Sequence, residues 1–192
     1  MQRADIDFEE LYAPTVAASS VRLLSAFACE QDLSLRQFDI EQAFVQSELE
    51  ENVFMRLPQG CGNLSGKVIR LRRSLYGLRQ ASRHWHQHLA KCLKNLGFDQ
   101  CLADTCVFRL MEKGIVVIIL VVQVDGIFAV GEEGKCDEFG RKLNTMVPVK
   151  NLGELRWYSG LYYERDLEAG TLSVSQQTFA EDLAQKLSLI HI

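Results

Sequence analysis

Apolar and polar residues alternate along some stretches of the chain and recur at helical spacing along others. The alternating or continuous β-prone runs predict strands at residues 33–40, 53–57, 68–71, 106–110, 115–124, 127–130, 157–163 and 172–174. Apolar residues at helical spacing predict helices at residues 19–28, 81–96, 139–146 and 178–187. Hairpins rather than regular crossover helices connect the strands. This order predicts an α+β fold in which an antiparallel sheet carries helices packed on one face.

A hairpin at Asp125-Gly126, which joins the runs 115–124 and 127–130, is the strongest local signal. Asp39 ends an earlier alternating strand, and a carboxylate at such a position is costly to bury without a partner. Two acids on neighbouring strands of one sheet would hold divalent cations through their oxygens, as phosphoryl transfer requires. Simpler interpretations remain open, because Asp-Gly is a favourable turn sequence and Asp39 also fits a cap after its strand.

Composition narrows the class of protein without indicating a chemistry. Apolar residues make up 47% of the 192 residues and charged residues 24%, which excludes a disordered chain and a disulfide-stapled miniprotein. The six cysteines form no C-x-x-C pair and predict free thiols in a reducing compartment. No signal region opens the chain, and the longest apolar run is too short to span a membrane. We therefore expect a single domain over residues 1–192, cytoplasmic or alternatively nuclear, without a membrane partner.

Charge is distributed unevenly along the chain. The formal net charge is −4, yet residues 52–98 contain nine Lys or Arg and no Asp or Glu. A cationic block inside an acidic chain predicts a face that meets phosphate, and Tyr76 and Trp85 within it are candidates for stacking on bases. The alternative is a solvated helix face whose carboxylate partners come from elsewhere in the fold.

Two further sequence patterns, one typical of a phosphate-binding loop and one of a metal site, lack residues that those sites require. Gly66-Lys67 suggests a phosphate-binding loop, but Cys61 stands where its first glycine belongs and Val68 follows the lysine. His84 and His88 are spaced to share a metal on one helix face, but we expect no nearby Glu or Cys ligand to complete the set. A water-facing helix edge is the alternative for the two histidines.

Four motifs, in order along the chain, resemble the reverse transcriptase of copia-type retrotransposon Pol polyproteins. They are DFEELYAPTV at 7–16, FDIEQAF at 38–44 followed by FMRLPQG at 54–60, SLYGLRQA at 74–81, and NLGEL at 151–155. The resemblance extends over almost the whole chain. It implies a polymerase palm, an antiparallel sheet that carries the catalytic acids, with partial fingers and little of the thumb.

The resemblance also implies roles for particular residues in two-metal nucleotidyl transfer with Mg²⁺, or alternatively Mn²⁺. Asp39 and Asp125 would be the catalytic metal ligands, helped by the Ile40 carbonyl. Phe44 would crowd the sugar and select deoxynucleotides. The residues expected to lie against the incoming dNTP and the template are Gly77 and Gln80. The arginines expected along the RNA or DNA template–primer are Arg70, Arg72, Arg73, Arg79 and Arg83.

The sequence departs from this family at the catalytic hairpin. The family reads aromatic-Val-Asp-Asp, whereas residues 123–126 read Gln-Val-Asp-Gly, so Gly126 replaces the third metal carboxylate. We expect Gly126 to occupy the tight turn, which would spare folding while chemistry is lost. The basic fingers segment, the rest of the thumb and RNase H lie outside the sequence, which predicts a truncated, degenerate and inactive copy. The alternatives are a non-catalytic nucleic-acid-binding module and a retroelement remnant without function.

Overall fold

The computed structural model describes residues 11–187, so the start of the DFEELYAPTV motif, residues 7–10, lies outside the described residues. The helices are α1 Ala18–Glu30, α2 Ala43–Gln46, α3 Ala81–Asn95, α4 Glu133–Asn144 and α5 Gln177–Lys186. The strands are β1 Ser34–Ile40, β2 Phe54–Arg56, β3 Val68–Arg70, β4 Phe98–Gln100, β5 Val107–Glu112, β6 Ile115–Gln123, β7 Gly126–Gly131, β8 Val149–Glu154, β9 Trp157–Tyr158, β10 Leu161–Asp166 and β11 Thr171–Ser175.

The predicted strands and helices are present, with two kinds of difference. The pattern missed α2, β4 and β8, which are short or lack a clear apolar period. The run 157–163, predicted as one strand, is a hairpin of β9 and β10. Ser159 and Gly160 have positive φ angles of 52° and 76°, and this backbone turns the chain back on itself.

Six strands form the main sheet in the order β4-β5-β6-β7-β1-β8, and all neighbouring pairs are antiparallel. The prediction of an α+β fold around a large antiparallel sheet is therefore confirmed. β1 comes early in the chain but lies between β7 and β8, so the late hairpin β6–β7 meets the early strand. This placement brings Asp39 to the hairpin that carries Asp125.

The prediction that helices pack on one face only is wrong. α3 and α4 cover one face, where Trp85 and Phe139 pack with Phe38 of β1. α1 and the three-stranded sheet β9–β11 cover the other face, where Phe128 and Tyr163 are fully buried. Strands β1, β6 and β7 carry apolar residues on both sides, so each face of the sheet needs a covering layer.

A glycine allows α4 to lie close to the sheet. A Cβ atom on Gly140 would lie 2.4 Å from the Phe38 ring, which itself packs edge-on against Phe139 at 5.5 Å between ring centroids. No side chain fits this gap without moving a fully buried ring. Gly140 therefore fixes the distance between α4 and β1, the strand that carries Asp39.

Side chains from distant segments hold both ends of α1. Near its first turn, Asp104 accepts hydrogen bonds from the Ala17 N–H at 3.3 Å and from the Ser20 hydroxyl at 2.7 Å. At its last turn, the Arg165 guanidinium donates to the Ala28 and Leu33 carbonyls. Ser20, in the first turn of α1, thus contacts a distant carboxylate and does not cap the helix.

The hairpin of β2 and β3 forms a two-stranded sheet outside the main one. Its approach segments, residues 47–53 and 71–74, also run side by side, and Val53 and Leu49 on them are buried. Of the helices between residues 11 and 187, none has the length and apolar character that a membrane crossing requires.

Candidate functional site

Asp39 and Asp125 lie together in the main sheet. Asp39 of β1 is directly opposite Gly126 of β7, so Asp125 is one position away from it. The Ile40 N–H donates to the Asp125 carbonyl over 2.9 Å and fixes the end of β1 to the hairpin. Partial burial, and next the charge of Asp125, raise the pKa of Asp39 above its usual range. Two carboxylates that repel each other in this way favour a cation between them.

The turn of the β6–β7 hairpin consists of Val124 and Asp125, because Gln123 pairs with Gly126. Val124 has a φ angle of 54°, which is rare for a β-branched residue. The Trp85 indole N–H donates to the Val124 carbonyl at 2.6 Å, so a buried side chain of α3 holds this unusual turn. Trp85 itself is 1% exposed, so the prediction that it stacks on bases is wrong.

Gly126 is the first residue of β7 and lies outside the turn, contrary to the sequence expectation. Its φ angle is not positive, and a Cβ atom would lie 3.4 Å from the Tyr158 ring, an ordinary contact. A side chain at this position would share a sheet face with Asp39, its cross-strand neighbour. The backbone therefore accepts a carboxylate here, and glycine is not required by the fold.

Lys150 is a site residue that the sequence pattern did not reveal. It lies in β8 opposite Asp39, on the side away from Gly126. Burial raises the pKa of Asp39 most, and the Lys150 charge acts in the opposite direction. The Lys150 ammonium lies 3.6 Å from Glu41 Oε1. Only the register of β8 against β1 reveals this neighbour, and no local sequence signal encodes it.

The carboxylates of Asp39 and Asp125 suit a hard divalent cation, but they are few. Carboxylate oxygens are the ligands that Mg²⁺ prefers in proteins. Across the described part of the chain, no group of three or more His, Cys, Asp or Glu side chains is placed to share a metal. Asp39 and Asp125 therefore offer carboxylate ligands of the right chemistry, but fewer than a divalent cation takes.

Phe44 and Gly77, the residues expected to meet a nucleotide, are half-buried and exposed, respectively. Phe44 of α2 packs on Tyr76 with ring centroids 4.6 Å apart, and Tyr76 is 54% exposed. Gly77 has a φ angle of 97° and open space where a side chain would be. Gln80 is fully buried at the start of α3 and has an interaction partner within the protein. Its predicted contact with the template stays a prediction.

The arginines predicted to contact nucleic acid belong to β3, to the segment after it and to the start of α3. Exposed members of this set are Arg70, Arg72, Arg73 and Arg79, and Arg83 is half-buried. Arg79 and Arg83 have interaction partners within the protein. Most of these arginines are therefore at the surface, with part of their charge engaged in the fold.

Of the two spaced histidines of α3, His84 is not at a water-facing edge as expected, and His88 is half-buried. His84 is buried, and its Nε2 lies 3.0 Å from Glu51 Oε1. His88 Nε2 lies 3.8 Å from Cys92 Sγ. The sequence gave no sign of the Glu51 contact, because Glu51 lies in the segment before β2.

The profile of the family described as reverse transcriptase (RNA-dependent DNA polymerase) matches residues 1–192, the whole chain. The chain belongs to the reverse transcriptase family. It is 30% identical over 194 residues to the retrovirus-related Pol polyprotein from transposon TNT 1-94 of Nicotiana tabacum. It is 29% identical over 196 residues to the polyprotein from transposon RE1 of Arabidopsis thaliana. These alignments cover 98% of the chain.

A more distant relative of this reverse transcriptase domain is the transposon Ty1-ER2 Gag-Pol polyprotein of Saccharomyces cerevisiae. It is 28% identical over 113 residues, which is 56% of the chain and 6% of that polyprotein. The chain spans 14% of the TNT 1-94 polyprotein and 13% of the RE1 polyprotein. No solved structure shows a significant match. The sequence prediction of a copia-type reverse transcriptase domain is thus confirmed.

Proposed function

We propose that this domain descends from an RNA-directed DNA polymerase that used Asp39 and Asp125 as metal ligands, and that its catalytic centre is weakened. One observation supports this most directly. Position 126, directly opposite Asp39, carries no side chain although the backbone there accepts one. Reverse transcriptases depend on divalent metal ions, and the loss of one carboxylate lowers the negative charge that attracts them.

In this proposal the six-stranded sheet with α3 and α4 is the palm, and the β2–β3 hairpin belongs to the fingers. Asp39 and Asp125 would hold Mg²⁺, or Mn²⁺ in its place, with the Ile40 carbonyl as a further oxygen. The bound ions would activate the primer hydroxyl and neutralise the triphosphate of the dNTP. Trp85 holds the turn that carries Asp125, and Lys150 supplies a fixed positive charge beside Asp39.

The side chains around this centre suggest how a nucleotide would be oriented. Phe44, supported by Tyr76, would exclude a ribose 2′-hydroxyl and so favour dNTPs. The open backbone at Gly77 would allow a base or sugar to approach closely. The RNA or DNA template–primer would lie across the exposed arginines, in particular Arg70 and Arg72.

Primer extension with purified protein tests the catalytic part of the proposal. We expect no template-dependent dNTP incorporation above that of Asp39→Ala, with either Mg²⁺ or Mn²⁺. Removing charge stabilisation from a transition state costs on the order of 10³-fold in rate. Incorporation by the parent protein that Asp39→Ala abolishes would show that two carboxylates suffice.

A non-catalytic nucleic-acid-binding module is the second candidate. The observation that favours it is the exposure of Arg70, Arg72 and Arg73, within a stretch, residues 52–98, that contains no acidic residue. Such binding would be mainly electrostatic, and its affinity would fall steeply with salt. Replacing Arg72 and Arg73 with Glu should weaken binding to all sequences alike. Binding that ignores salt would exclude this candidate.

A further inference from the structure

The β2–β3 hairpin presents one face that the rest of the described chain does not cover. Phe54 pairs with Arg70 and Arg56 pairs with Val68, so these four side chains point to the same side. All four are exposed, Phe54 by 63% and Val68 by 57%. The residues on the opposite side of the hairpin are half-buried. An aromatic ring, an aliphatic side chain and two guanidinium groups therefore form one outward platform.

The positive charge of the platform comes from Arg56 and Arg70. Arg56 donates one N–H to the Gly66 carbonyl at 3.0 Å, which fixes its stem and leaves other donors free to face outward. Among residues 11–187, no ion pair engages Arg56 or Arg70. A partner that brings negative charge would therefore find both guanidinium groups available.

Backbone hydrogen bonds hold the platform in a defined orientation. The Leu71 N–H donates to the Val53 carbonyl at 2.9 Å, and the Leu49 N–H donates to the Arg72 carbonyl at 3.0 Å. Val53 and Leu49 are buried, so this two-stranded ribbon is anchored in the body of the domain. A partner would therefore meet a preformed surface and would not have to order the hairpin.

We propose that the platform formed by Phe54, Arg56, Val68 and Arg70 binds single-stranded nucleic acid. The proposal rests on the nucleic-acid binding proposed above. It adds which surface binds and that the bound nucleic acid is single-stranded. Bases that are not paired can stack on Phe54 and pack on Val68, while the arginines contact the phosphates between them. A duplex keeps its bases stacked inside, so a protruding ring gains little from it. Stacking also explains an exposed Phe beside arginines, which phosphate contact alone does not.

Fluorescence anisotropy with a labelled 20-nucleotide oligo(dT) strand tests this proposal. Phe54→Ala should weaken binding on the order of 10-fold, and it should leave the affinity for a 20-base-pair duplex nearly unchanged. Phe179→Ala is the matched control, because Phe179 in α5 is 61% exposed and lies outside the hairpin. Circular dichroism and thermal unfolding of each variant exclude loss of the fold as the cause.

The arginines are tested by the salt dependence of the same binding. Replacing Arg56 and Arg70 together with Gln should reduce the slope of log K against log salt by about 1.4, since each phosphate contact to a single strand contributes about 0.7. The control is the double replacement of the exposed Arg109 and Arg141 with Gln.

Three outcomes would overturn the proposal, and they differ in what else they affect. If the parent protein binds the strand and both hairpin variants bind equally well, the platform is not the binding surface, although the nucleic-acid function stands. If the parent protein does not bind the strand at all, the platform proposal and the nucleic-acid-binding function on which it rests both fail. If Phe54→Ala instead abolishes self-association in sedimentation while leaving strand affinity unchanged, the platform is a protein interface.

Discussion

The Asp39 carboxylate lies where its surroundings disfavour a negative charge. Burial first, then Asp125 and more weakly Glu41, raise its pKa, and Lys150 opposes them only in part. The pKa of this carboxyl is higher in the folded protein than in the unfolded protein. Its contribution to stability is therefore fully present at pH values below the pKa of the unfolded state, and it is lost as the pH rises through the pKa of the folded state. Asp39→Asn should therefore raise the melting temperature at pH 7, and the gain should shrink as the pH falls towards 4.

Thermal unfolding at several pH values measures this effect. Asp99→Asn is the control, because Asp99 is exposed on β4 and its replacement should change stability by no more than about 0.5 kcal/mol. A melting temperature that Asp39→Asn lowers at pH 7 would contradict the proposed charge repulsion. Such a result would mean that Lys150 compensates Asp39 fully.

At the scale of elements, the contact between α4 and β1 depends on a single glycine. Gly140→Ala should destabilise the protein by about 1–3 kcal/mol, because its Cβ atom would overlap the buried Phe38 ring. Gly134→Ala in the same helix is the matched control. No atom lies within 4 Å of its Cβ position, so alanine there should stabilise the helix by roughly 0.5–1 kcal/mol. Urea unfolding of both variants measures the two changes, and equal effects would contradict the close packing.

At the scale of the whole molecule, Asp104 joins α1 to the loop before β5. Burial works against the charge of Asp104, but hydrogen bonds from Ser20 and two backbone N–H groups outweigh it and lower its pKa. Its stabilising effect is therefore present above the unfolded pKa and is lost as the pH falls through the folded pKa. Asp104→Ala should cost about 1–2 kcal/mol in urea unfolding at pH 7. A cost that is unchanged at low pH would contradict this assignment.

Local sequence patterns predicted those structural elements that are determined by a few neighbouring residues. The strands, helix α3 and the hairpin near residue 125 follow from periodicity and turn chemistry. The sequence did not show what depends on pairing between distant segments. Lys150 meets Asp39 only through the register of β8. The distant residues Asp104 and Arg165 help to hold α1 on the second face of the sheet. Gly126 was misplaced by one residue, which moved it from the strand into the turn.

Cation binding by the parent protein and by Gly126→Asp tests the central claim most directly. Titration with Mn²⁺, followed by calorimetry, should show at least about 10-fold tighter binding by Gly126→Asp, because a carboxylate opposite Asp39 adds ligands and negative charge. Adding Asp39→Asn to Gly126→Asp should remove this gain, because both side chains would hold the same ion. If Gly126→Asp folds but binds Mn²⁺ no more tightly than the parent, then positions 39, 125 and 126 do not form one metal site.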